Sequence, residues 1–347
     1  MSAPYIIYGM DASYFTQKAL SLLSYKEIPT DFRKKSIAIR AEVEQKSGTH
    51  MMPVMVTPQD EWMWDTTPIA FELDKRFPKS ATLPPAPLAR IIARILEDFF
   101  DEWTTRAAIF FRWSSPEDIA HSGDSLARDA VGIPQDTPLD ATGEKLVRQA
   151  RDMIETWARK TIEKLDAHNN AHGEIIGEYS RLMTLLDQHF AASDFLLGSK
   201  PCLADFALQG ALTAHFLFDP TPRKLTEKIA PAVVAYQQRM KAAKASRLGE
   251  DWPMMTTVPE TLAPVLQHIA MGFHAYLAGN QKALKAGRAM VDVDLGYGPR
   301  TIIARPYTEK TRIETAKDFH SLSPKDQKIV SEALSPLGVM EAYLLPA

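Results

Sequence analysis

Apolar residues near the start of the chain fall in short runs set apart by turn-forming residues. Tyr5-Ile6-Ile7-Tyr8, ended by Gly9, predicts a short buried strand. Asp11 or Ser13 stands where a helix cap would, and Phe15, Ala19, Leu22 and Leu23 then recur at helical spacing up to Pro29. Thr30 to Ile39 reads as a second strand, exposed or at an edge because it carries Arg33-Lys34-Lys35. A short polar helix or loop, Ala41 to Lys46, stops at Gly48. Pro53-Val54-Met55-Val56 and Glu61-Trp62-Met63-Trp64 flank Thr57-Pro58-Gln59-Asp60 in a hairpin pattern. A helix from Thr67 to Arg76 has Pro68 in its first turn, where a missing N–H costs nothing. The order β-α-β-α-β-β-α predicts an α/β layer domain over residues 1–80.

Thr82-Leu83-Pro84-Pro85-Ala86-Pro87 is a linker, since so many prolines suit neither a helix interior nor a central strand. Beyond it Leu88, Ile91, Ile92, Ile95, Leu96, Phe99, Phe100 and Trp103 make one broad apolar stripe, a core helix. Ser114 to Thr142 is rich in Ser, Pro, Asp and Gly and reads as a surface excursion with at most a short helix near Leu126. Helical spacing resumes over Lys145–Leu165, Glu174–Phe190, Leu203–Phe218 and Pro231–Lys244, which predicts an all-α domain over residues 88–248. A third block, residues 249–347, reads as one amphipathic helix (Glu260 to Ala286), a hairpin around Gly296-Tyr297-Gly298-Pro299, and a late helix opened by Ser323-Pro324.

Composition narrows the function classes. The chain has 347 residues, enough at roughly 100–200 residues per domain for two or three. Forty basic against 43 acidic side chains leave a net charge of −3, which offers no electrostatic case for nucleic acid or an anionic membrane. One Cys excludes an internal disulfide and a four-Cys zinc site. No apolar run approaches the ~20 residues of a spanning helix, and residues 1–10 lack the basic-then-apolar pattern of a signal peptide. A cytoplasmic protein without membrane insertion is expected.

Three local patterns carry a resemblance. Met52-Pro53-Val54-Met55-Val56 is similar to a strand start with a cis proline. Trp64-Asp65-Thr66-Thr67-Pro68-Ile69-Ala70 is similar to an acidic–hydroxyl pair opening a helix. Leu197-Gly198-Ser199-Lys200-Pro201-Cys202-Leu203-Ala204-Asp205-Phe206-Ala207-Leu208 is similar to a hydroxyl-x-x-Asp capping box in a buried helix. In that order, across residues 4–245, they resemble the glutathione transferase family in its bacterial, long form. The resemblance implies an α+β protein: a thioredoxin-like α/β domain, an all-α domain of the family type, and a C-terminal helix–hairpin–helix extension outside the ordinary pattern.

It also implies glutathione as co-substrate, a hydrophobic electrophile as acceptor, a two-fold homodimer, and no metal. The thiol of glutathione has a pKa near ~8.5, and lowering it by ~2 units takes about 2.7 kcal/mol, within reach of one or two aimed hydrogen bonds. Thr66, at a helix N-terminus, would hold the γ-glutamyl carboxylate with Asp65 on the ammonium; in isolation either residue reads equally as an N-cap. Met52 and Pro53, joined by a cis bond, would present the Met52 peptide to the cysteinyl part, extending the sheet by one peptide strand. The thiolate donor is Ser13, in a stretch resembling the family's serine-type motif but with Tyr14 and Gln17 departing from it, or Tyr8 at the strand end. Plain capping and core packing are their structural alternatives.

Other chemistry-bearing residues read as structural. Cys202 and Asp205 belong to the capping box. Arg94/Asp98 and Glu102/Arg106 are i,i+4 pairs expected on an exposed helix face, with the neighbouring aromatics in the core or lining an acceptor pocket. His168 and His172 have a metal-pair spacing but lack the intervening Glu, and Asn169-Asn170 and Gly173 predict a turn there. Alongside a transferase, the sequence leaves open a non-enzymatic member that binds ligands or proteins, and a glutathione-dependent isomerase or ether-cleaving enzyme.

Overall fold

The computed structural model describes residues 3–168, 171–252 and 254–346. Asn169 and Asn170, read above as a turn, lie outside them. The chain opens with β1 (Tyr5–Gly9), α1 (Tyr14–Tyr25), β2 (Thr30–Lys34), α2 (Ile37–Ser47), β3 (Val54–Val56), β4 (Trp62–Trp64) and α3 (Thr66–Arg76). The sheet runs in the order β2-β1-β3-β4, with β1 and β2 parallel and the other pairs antiparallel. This is a thioredoxin-like α/β domain. Tyr5 and Ile7 alternate into the core while Tyr8 turns to the other face.

Helices make up most of the remainder: α4 (Pro87–Glu102), α5 (Thr104–Ser114), α6 (Pro116–Val131), α7 (Ala141–Lys164), α8 (His172–Ala192), α9 (Leu203–Ala211), α10 (Pro220–Ile229), α11 (Pro231–Ala242) and α12 (Ala245–Leu248). Then follow α13 (Ala263–Ile269), α14 (Ala275–Lys285), the hairpin β5 (Met290–Asp294) and β6 (Pro299–Ile303), and α15 (Pro306–His320), α16 (Pro324–Leu334) and α17 (Glu341–Leu344). One wide turn, Ala270–His274, joins α13 to α14. A single apolar cluster runs from Ile7 through Ile91, Ile95 and Phe99 to Leu266, Phe273 and Tyr343, so the C-terminal segment shares the core of the rest.

Four expectations need correction. β2 ends at Lys34, and Ile37 to Ile39 begin α2 instead: their alternation mimics a strand, and α2 fully buries only Val43, so no helical stripe betrays it. The excursion after Ser114 is α6, a 16-residue helix capped by Ser115 and ended at Gly132 with φ 74°. Its buried face carries Asp118, Ser122, Gly123, Ser125 and Asp129, a polar set that hides the helical period. α10 went unread for the same reason, burying Pro222 and Thr226. So did α15, which buries Thr308, Arg312 and Thr315 beside Ala316 and Phe319.

The helix that bears Ser13 at its cap is fixed by close packing on α9. A Cβ at Gly210 would stand 2.7 Å from the Tyr14 carbonyl oxygen, so only glycine lets the two backbones meet. α9 in turn is held by Asp205, whose carboxylate accepts from the N–H of Cys202 (2.8 Å) and Leu196 (3.0 Å) and from the Tyr236 hydroxyl (2.9 Å). Burial pushes the Cys202 thiol pKa well up, which suits a structural role.

Candidate functional site

Three backbone features flank one end of the sheet, where β1 and β4 end and β3 begins. Met52-Pro53 is a cis peptide, just ahead of β3. Among the described residues the N–H and C=O of Met52 take no partner, while pairing starts at Val54 with Tyr8 and Trp64. β3 is an inner strand, so the free peptide unit at Met52 lies just ahead of its paired residues.

The start of α3 is the second feature. Thr66 and Thr67 have backbone N–H groups with no partner among the described residues, as the first turn of a helix leaves them, and Pro68 has none to offer. Asp65 sits at the cap position with φ 72° and ψ 118°, a left-handed conformation costly for a non-glycine residue. Its side chain does not cap the helix. It turns toward α15, where Oδ2 accepts from the Tyr307 hydroxyl at 2.5 Å and lies 3.5 Å from Lys310 Nζ. Thr66 is buried, and the Thr67 hydroxyl donates to Glu97.

Ser13 is the third. It caps α1, its Oγ accepting from the Thr16 N–H at a long 3.4 Å. The loop before it is pinned on three sides: Arg112 donates to the Ala12 carbonyl (2.7 Å), Gln17 to the Asp11 carbonyl (2.8 Å), and the Asp11 N–H donates to Asp129 of α6 (2.6 Å). Tyr8 is held elsewhere. Its ring stacks on Trp62 with centroids 5.9 Å apart, and Arg33 donates to its hydroxyl at 3.3 Å. Ser13 and Tyr8 are therefore not brought together.

Between the first domain and α4 lies a buried charge network. Lys18 donates to Glu97 at 2.8 Å and also to Asp101; Arg94 donates to Glu97 and, at 2.8 Å, to Asp318 of α15. Tyr343 donates to Asp98 (2.8 Å), and Thr308 to Glu102 (2.6 Å). The exposed i,i+4 pairs expected from sequence are thus corrected: Arg94, Asp98, Glu102 and Arg106 are all buried, and Arg106 pairs instead with Asp166 (3.0 Å) and Glu178 (3.3 Å). An i,i+4 spacing has the same form on a surface as beneath a second layer. Burial opposes the charge of Glu97, yet Lys18 and Arg94 hold its pKa below the ordinary value. Burial, helped by Glu102, raises Asp98 to about 7; burial, helped by Glu97 and opposed by Lys18, raises Asp101 to about 8.

A cavity of about 10 Å³ opens here, lined by Asp65, Thr67, Asp98, Asp101, Tyr307 and Thr315 among others. Asp98 Oδ1, Asp101 Oδ1 and Thr315 Oγ1 are buried without a partner. The aromatics of α4 face the other way. Phe99 and Trp103 pack on Phe273 with centroids 5.9 and 5.8 Å away and line a cavity of about 20 Å³, space for about one water. Sequence reasoning missed Lys18, Glu97, Tyr307 and Lys310. Pro306 as a helix opener was the one available signal for the last two.

Among the described residues, no group of three or more His, Cys, Asp or Glu is placed to hold a metal ion, and no helix is long and apolar enough to cross a membrane.

Residues 7–81, the sheet with its three helices, match the family model described as glutathione S-transferase, N-terminal domain. Over these residues the chain carries an N-terminal domain of the glutathione S-transferase type. No curated protein matches the sequence. Among solved structures, the chain is similar to a rice glutathione S-transferase (OsGSTU1) in complex with glutathione: 15% identity, 73% of this chain and 93% of that one, TM-score 0.44. It is also similar to the transferase GSTFuA3 of Phanerochaete chrysosporium, at 14% identity over 70% of this chain and 98% of that one, TM-score 0.49. A third is the β-etherase LigF of Sphingobium sp. strain SYK-6, at 15% identity over 71% and 98%, TM-score 0.47.

Proposed function

We propose that the chain is a glutathione transferase-like enzyme that binds glutathione across the Met52 peptide and the start of α3 and activates its thiol with Ser13. The observation that carries this reading is the pair of unpartnered N–H groups at Thr66 and Thr67 beside the Asp65 carboxylate, within a matched N-terminal domain of the family. Thr66 takes the γ-glutamyl carboxylate, Asp65 the ammonium, and Met52 with Pro53 the cysteinyl backbone. The thiol loses its proton to solvent, and the Ser13 hydroxyl and the positive end of α1 favour the thiolate. Sulfur then bonds to a hydrophobic electrophile whose leaving group, or activated double bond, takes the displaced electron pair. Assembly as a homodimer and a cytoplasmic location belong to the same proposal.

Glutathione added to the protein, followed by thiolate absorbance against pH, tests it. A bound thiol titrating about two units below the free value, near ~8.5, supports the reading; an unshifted thiol, or no binding at millimolar glutathione, ends it.

One observation favours a second reading, a member of this fold that binds without turnover. The aromatic face of α4 is filled by Phe273 and Tyr276 of the C-terminal segment, leaving the small cavity described above where an acceptor would need several hundred Å³. Glutathione binding with no turnover across a broad electrophile panel would select it.

A further inference from the structure

The C-terminal segment reaches the start of α3, and its residues there are not idle. Tyr307 and Lys310, one helical turn apart on α15, both address Asp65 Oδ2. Apart from lying 5.1 Å over the Tyr307 ring, Lys310 is lightly engaged. Its ammonium is 3.5 Å from Asp65 and 3.8 Å from Glu314, both long for ion pairs, and its side chain is 47% exposed. A strong hydrogen bond to a carboxylate is nearer 2.7–2.9 Å, so most of its donor capacity is free. Its partner Asp65 directly precedes Thr66 and Thr67, whose N–H groups are unpartnered among the described residues. An anion on those amides would therefore lie between a helix N-terminus and a lysine ammonium.

The opposite charge has its own place. Asp65 Oδ1 takes no partner among the described residues, and the charged and acidic groups lining the cavity beside it are Arg94, Glu97, Asp98, Asp101 and Glu314. Glu97 is already matched by Lys18 and Arg94, and Asp98 and Asp101 are raised to about 7 and 8, so Asp65 is the carboxylate left there for a cation. Tyr307 holds Asp65 toward α15. Its hydroxyl pKa is pushed far up by burial and by the Asp65 carboxylate, so it remains a donor throughout the working pH range.

Taking the proposed glutathione site as given, we infer that the C-terminal segment completes the pocket for the γ-glutamyl head: Lys310 binds its α-carboxylate, and Tyr307 positions Asp65 for its ammonium. Lys310 touches the ligand and sets specificity; Tyr307 acts through Asp65. The pocket then demands a zwitterionic amino-acid head, and a tripeptide lacking either charge leaves one of its fixed charges unpaired.

Calorimetric binding of glutathione and of γ-aminobutyryl-cysteinyl-glycine, which lacks the α-carboxylate, tests the inference on the full chain. The wild type is expected to prefer glutathione by about tenfold or more. In Lys310→Met that preference shrinks by about threefold or more through loss of glutathione affinity alone, the Thr66 and Thr67 amides keeping the remainder, and Lys310→Arg restores most of the loss. An unchanged thermal midpoint for Lys310→Met certifies its fold. If Lys310→Met keeps the wild-type preference, or weakens both tripeptides equally, the inference is overturned while glutathione binding stands. If the wild type binds neither, the glutathione reading falls and the inference with it.

Discussion

Lys18 of α1 and Glu97 of α4 meet at 2.8 Å inside the protein, each almost wholly shielded from water. The contact joins the glutathione transferase-type domain to the helical remainder. Glu97 also accepts from Thr67 at the start of α3 and from Arg94, so one carboxylate ties three elements to the candidate site. Removing one partner strands a buried charge. Lys18→Met should cost about 3–5 kcal/mol in urea unfolding, and Lys18→Met with Glu97→Gln should cost less than the single change. A single variant within about 1 kcal/mol of wild type would show that the pair is solvated and inert.

Acidity should strengthen the same interface. Asp98 and Asp101 titrate near about 7 and 8 when folded, against an ordinary value of 3.8. Between those limits the folded chain holds protons that the unfolded chain has released. Stability is therefore greatest below the ordinary value and falls as pH rises through the folded values. The groups facing them, Lys18, Arg94, Glu97, Glu102 and Tyr343, are all part of the network. The thermal midpoint should drop between about pH 5 and pH 8 and level off above, and Asp98→Asn with Asp101→Asn should flatten that slope. A midpoint rising over this range would reverse the assignment.

Ser13→Ala separates capping from chemistry. The cap hydrogen bond is long, at 3.4 Å, so the stability loss should stay under about 1 kcal/mol. The thiol of bound glutathione should return toward its free pKa, near ~8.5. Tyr8→Phe should leave the thiol where it was, because the Tyr8 ring is stacked on Trp62 beside Arg33 and makes no contact with Ser13. The opposite pattern in the two variants reassigns the donor.

Gly210→Ala tests how tightly α1 is set on α9. The new methyl would stand 2.7 Å from the Tyr14 carbonyl, a backbone atom that moves only with its helix. We expect a loss of about 1–3 kcal/mol together with weaker glutathione binding, since α1 carries Ser13. Unchanged stability and binding would mean that the two helices are free to separate.

The first domain was legible because its apolar positions follow the periods of strand and helix and its turns carry Gly and Pro. The Met52-Pro53 strand start and the Asp65-Thr66 helix opening stand where the sequence placed them. The rest of the site was hidden by buried polarity. Thr308, Arg312 and Thr315 give α15 a core-facing side without apolar residues, so nothing in the pattern announced a helix bringing Tyr307 and Lys310 to Asp65. Arg94 and Asp98 read as solvated for a related reason: their spacing says nothing of what packs above them. Ser13 was readable as a cap; the pinning of its loop by Arg112 and Asp129 comes from chain positions about a hundred residues away.

The central claim is that glutathione lies across the Met52 peptide with its glutamyl head on the amides at the start of α3. A crystal structure with glutathione at saturating concentration measures this directly. The account predicts the α-carboxylate on the Thr66 and Thr67 amides, the ammonium on Asp65 and the sulfur nearest Ser13. Glutathione bound elsewhere, with Tyr307 and Lys310 still closed over Asp65 and no ligand beneath them, would contradict it.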